Sequence, residues 1–180
     1  MRLLEHPGPA EAPRSLIAWG AASRSYRITI PSGADFMETV IGAMSEQSVV
    51  SAGIVLLGGS VSRLAFMTGR PIRPDEAITR VASHNGPHEI ACPARIVGGN
   101  AILGQDREGA PLIHCHALFV DRHGAACGGH LIRGGCIAAP EGIRLHATAL
   151  ADIAFRNAYD AETDFEIFHP ATLGEEGSQP

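Results

Sequence analysis

The chain has 180 residues, the length of one domain and enough to bury a core without help from disulfides or metal. A composition of 45% hydrophobic and 18% charged residues excludes a disordered chain. The net charge of −5, with histidines neutral, opposes a non-specific nucleic-acid binder, which carries a basic face.

Residues 1–23 contain Pro7, Pro9 and Pro13 and read as an arm. Trp19 gives this arm a group to dock, either on a neighbouring subunit or over an edge of its own sheet. Ser25–Ile30 alternates as a strand and is broken by Pro31, Ser32 and Gly33. From Asp35 to Gln47, Phe36, Val40, Ile41 and Met44 recur at helical spacing, with Asp35 or Ser32 as cap. Short apolar segments follow, punctuated by glycine: Ala52–Leu57, Val61–Phe66, Ala77–Ala82, His88–Ile96, Leu112–Val120, Ala125–Ile132, Cys136–Ala139 and Ile143–Phe155. The expected class is α+β: a mainly antiparallel sheet with one principal amphipathic helix and minor helices packed on it. The tail, 169–180, is expected to be partly disordered. The opening segment breaks after two leucines, and no apolar run approaches the ~20 residues of a membrane span. The expectation is a cytoplasmic protein whose Cys92, Cys115, Cys127 and Cys136 stay reduced.

The chemistry concentrates between Leu112 and Ile132. Ile113, Cys115, Ala117 and Phe119 are apolar and take one face of a strand, so His114 and His116 share the other. Their Cα atoms then lie ~6.5–7 Å apart, within reach of one metal ion for two imidazoles. Asp121 and Gly124 suit the first and last positions of a type I turn. A three-residue loop, Arg122-His123-Gly124, pairs Asp121 with Ala125 and sets His130 opposite His116. Directly paired residues share a face, so three imidazoles converge. A two- or four-residue loop would instead send His130 to the core. Three neutral imidazoles suit zinc or another nitrogen-accepting divalent ion. The competing reading is three half-exposed histidines bonded across a subunit interface.

The segment Pro111–Leu131, an H-x-H followed by Gly128-Gly129-His130-Leu131, resembles the plants-and-prokaryotes conserved domain. Gly58-Gly59-Ser60-Val61-Ser62, Gly86-Pro87-His88-Glu89-Ile90 and Tyr159–Phe165 fall in the order of that family, and the likeness covers residues 24–168. The resemblance implies a homotrimer with a mostly antiparallel sheet beside helices. It also implies a metal-associated histidine cluster, carried here onto His114, His116 and His130. In plant members the counterpart of Gly86–Ile90 is associated with partner binding, but Pro87 and His88 stand where an arginine and a phenylalanine are found. Thr68-Gly69-Arg70-Pro71 lacks the leading arginine of an AT-hook and reads as an ordinary turn.

Three functions compete. The first is a homo-oligomeric binding or regulatory protein whose histidines hold a metal, zinc or another divalent ion, or a ligand, with a small ligand or protein as partner. The second is a metal-dependent enzyme, for which Glu89 is the carboxylate nominated beside the metal. The third is DNA binding, opposed by net charge and the missing hook. No nucleophile elbow, P-loop or dinucleotide fingerprint occurs, which favours the first.

Overall fold

In the computed structural model, residues 3–10, 17–71 and 78–173 are described. The elements in chain order are β1 (Leu3–Glu5), β2 (Ala22–Ile30), α1 (Phe36–Glu46), β3 (Ala52–Pro71), β4 (Ile78–Glu89), β5 (Ala94–Gln105), β6 (Pro111–Val120), β7 (Ala126–Leu150), β8 (Ile153–Asp160) and β9 (Phe165–Thr172).

All nine strands belong to one sheet, antiparallel except for the β1–β4 and β5–β8 pairings. Two long strands organise it. The first half of β3 lies between β5 and the second half of β7, and the second half of β3 lies between β4 and the first half of β7. β6 bridges β5 to the first half of β7, so β3, β5, β6 and β7 close into a ring. Inside it sit Ile54, Leu56, Leu64, Leu103, Cys115, Phe119, Leu131 and Leu145, all fully or almost fully buried.

α1 packs mainly on β7 through buried Phe36, Met37, Val40 and Met44. Asp35 caps it: the carboxylate accepts from the Glu38 N–H at 3.0 Å, and its other oxygen accepts from the Cys136 N–H at 3.3 Å. One side chain thus closes the helix start and ties it to the long strand.

Several boundaries differ from the sequence reading. The minor helices are absent among the described residues. Connections such as 90–93, 106–110, 121–125 and 161–164 are too short to form one. Ala52–Leu57 and Val61–Phe66 are one strand, bent by register shifts near Gly58 and Gly59. The Thr68–Pro71 segment continues that strand and is no turn. His88–Ile96 is divided between β4 and β5, and Val97–Gln105 extends β5. Beyond residue 168, β9 continues to Thr172; the segment 174–180 lies outside the described residues.

The described residues of the arm lie on their own chain. β1 pairs with β4, the Gly8 N–H donates to the Glu162 carbonyl at 2.9 Å, and the Thr172 hydroxyl donates to the Trp19 carbonyl at 3.3 Å. The Trp19 side chain itself stays 71% exposed.

Asp35→Ala is expected to destabilise the fold by about 1–2 kcal/mol, through loss of the cap and of the Cys136 tether. Urea unfolding checks this; a change below about 0.3 kcal/mol would remove Asp35 from that role.

Candidate metal centre

The β6–β7 hairpin turns on one carboxylate. Asp121 accepts from the N–H groups of His123 and Ala125, both at 2.8 Å. The Asp121 N–H donates to the Ala125 carbonyl at 2.9 Å, and Gly124 takes φ 87°, the left-handed conformation this loop demands. From there the ladder runs Val120 to Ala126, Phe119 to Cys127, Leu118 to Gly128, Ala117 to Gly129 and His116 to His130. This is the register that the turn residues dictate.

Along β6, Ile113, Cys115, Ala117 and Phe119 are buried while His114, His116 and Leu118 face outward, His114 partly covered by its neighbouring rings. One outward row crosses four strands: Asn100 on β5, His116 on β6, His130 on β7 and Met67 on β3. His114 stands beside it. The ring centroids are 4.9 Å apart for His114–His116, 4.6 Å for His114–His130 and 5.4 Å for His116–His130.

One nitrogen of each ring lies within 4.8 Å of the others. Three imidazole nitrogens at zinc–nitrogen distances stand about 3.3 Å apart, so modest ring rotations close the set. The donor chemistry fits a divalent ion: three neutral nitrogens and no competing thiolate. Burial pushes the intervening Cys115 thiol up to about 12 and points it into the core. Partial burial, and then the charge of His116, hold the His114 imidazole below its ordinary value and so favour its neutral, ligating form.

The triad opens onto a cavity of about 950 Å³. The far wall is the β8–β9 hairpin, which meets the ring of strands through the pairing of Gln105 with Arg156. It packs closely over Gly104, where a Cβ would collide with the Phe155 carbonyl and the Phe168 ring. Glu89 does not join this site. It ends β4, where its carboxylate accepts from Arg63 at 3.1 Å, and it is not among the residues lining the cavity. His123 sits on the turn, exposed and bonded to Arg122.

The sequence profile of the Plants and Prokaryotes Conserved (PCC) domain matches residues 18–143. The chain belongs to this family. Its fold is similar to that of a hypothetical protein from Salmonella enterica (TM-score 0.66, 17% identity, 85% of this chain and 97% of that one). It is similar also to a metal-containing protein from Archaeoglobus fulgidus (0.65, 14%, 84% and 97%). A plant- and prokaryote-conserved protein from Pyrococcus horikoshii gives 0.63, 14%, 88% and 100%. No curated protein sequence matches significantly.

Much of what surrounds the triad in this PCC domain is missed by sequence reasoning. Asn157, Tyr159, Asp164, Glu166 and Phe168 line the cavity from a hairpin far along the chain, and His6 reaches it from the arm. The only hint is the Tyr159–Phe165 segment, noted for its family likeness and not for chemistry.

In an NMR titration of the metal-free domain, His114 is expected to titrate below the ~6.5 of a free histidine. His116→Ala should raise that value, because the neighbouring charge is gone, yet leave it depressed, because burial persists. An unchanged or lowered value in the variant would remove the coupling.

Proposed function

We propose that this PCC domain is a homo-oligomeric binding or regulatory protein whose His114, His116 and His130 hold one divalent metal ion, zinc by donor preference. The observation that carries the reading is the convergence of the three rings on one face, in a register set by Asp121. The name of the similar Archaeoglobus protein, metal-containing, supports it. A bound zinc would supply Lewis acidity at a position open to the cavity. The chain's own residues supply the rest: three neutral donors, a thiol kept out of the way, and a second wall of apolar and polar side chains.

Two alternatives are weaker. An enzyme needs a base beside the triad, and the nominated Glu89 is held by Arg63; only the cavity position of Asp164 and Glu166 favours it. DNA binding is the provisional name of similar structures from Bacteroides thetaiotaomicron and Ralstonia eutropha, and at 13% and 15% identity that likeness is one of fold. The charge of −5 opposes it.

Purified wild-type protein is expected to carry one zinc per chain. His116→Ala should lose most of it and His123→Ala should keep it. Metal affinity should fall as the solution is acidified, because protonated imidazoles cannot ligate. Equal metal content in wild type and His116→Ala would reject the site.

A trimer is the assembly we propose. Val55, Leu57, Val97 and Leu118 are between 44% and 57% exposed on the outer faces of β3, β5 and β6, an apolar surface suited to a second copy. Light scattering coupled to size exclusion should give three times 18.9 kDa. A clean monomer at micromolar concentration would exclude it.

A further inference from the structure

We propose that the cavity beside the triad receives a small organic carboxylate with an apolar body, the carboxylate at the triad and the body against Met67, Leu112, Phe165 and Phe168. The inference rests on the metal reading and extends it to a ligand class.

Size and lining come first. About 950 Å³ is at the upper end of small-molecule sites, which typically run ~300–1,000 Å³. The wall is mainly hydrocarbon and aromatic: Met67 and Leu112 beside the histidines, Phe165, Ile167 and Phe168 across from them. Gly128, paired with outward-facing Leu118, puts no side chain into the space near His130. A fully polar ligand would leave this wall against water, at a cost proportional to its area.

Charge comes second. Two acids face the cavity, and both are engaged within the protein. The Glu166 carboxylate pairs with Arg107 at 2.7 Å and accepts from the Asn157 amide at 2.9 Å. Asp164 accepts from the Tyr159 hydroxyl at 2.9 Å, which raises the Tyr159 pKa and keeps that donor protonated. Neither is set to capture a cation. The opposite wall offers three neutral nitrogens and no carboxylate, so an ion held there keeps its full double charge. The chemistry that complements such an ion is an anionic oxygen ligand, and the chemistry that complements the rest of the cavity is apolar. A carboxylate on an aryl or alkyl chain joins the two.

The test uses the full-length protein loaded with cobalt(II), whose visible bands report its ligands. It is titrated with 3-phenylpropionate, acetate and 3-phenylpropanol. Cobalt should bind one per chain in wild type and be lost in His116→Ala. 3-Phenylpropionate should perturb the bands at concentrations about tenfold or more below acetate, the difference arising from the buried phenyl group. 3-Phenylpropanol should leave them unchanged. Met67→Ala should keep the cobalt and the acetate response while weakening 3-phenylpropionate several-fold. Equal responses to acetate and 3-phenylpropionate, or no response from a cobalt-loaded protein, would overturn the ligand class alone. Failure to take up cobalt would overturn the metal reading and this inference with it.

Discussion

The pairing register of one hairpin decides whether this protein has a site at all. Side chains alternate along a strand, so a slip of one residue between β6 and β7 would send His130 into the core and Leu131 to solvent. Two restraints prevent it. The Asp121 carboxylate holds the N–H groups of His123 and Ala125 from within the turn. Leu131, fully buried beside Phe119 and Cys115 in the same core, penalises any slip by the burial it would lose. Local hydrogen bonding and core packing select the same register, and the three imidazoles emerge together as a consequence.

The rest of the fold frames that face. Because β3 and β7 pair along both their halves, the sheet closes on itself and packs its apolar residues inside, leaving the histidine row on the outer surface. The β8–β9 hairpin, anchored over Gly104, then stands at the side of the row and converts a flat face into a cavity. The paired strands β6 and β7 carry the donors, and the hairpin supplies the second wall.

What the sequence made legible was local. The helix followed from its apolar spacing and its Asp35 cap, and the histidine hairpin from strand alternation and four turn residues. What it concealed depended on distant partners. Gly58 and Gly59 read as a break, yet β7 pairs with β3 on both sides of them, and the strand bends there without ending. Val97–Gln105, rich in glycine, has little strand character alone and is held by β3 and β6 on its two edges. Glu89 lies within the family-like segment, but it pairs with Ala65 at the end of β4, bonds to Arg63, and does not line the cavity of the triad. The residues that do face the triad, Asp164, Glu166 and His6, lie at the two ends of the chain, where no spacing rule connects them to His114.

Family membership and fold follow from the profile match and the shared architecture, while the proposed function rests on three side chains and the charge they can hold. X-ray diffraction from crystals of the purified protein, recorded on both sides of the zinc absorption edge, tests that most directly. The account predicts an anomalous peak at about 2.0–2.1 Å from one nitrogen each of His114, His116 and His130, facing the β8–β9 hairpin. Crystals grown with zinc that show no peak there, or that show His130 turned into the core, would contradict it.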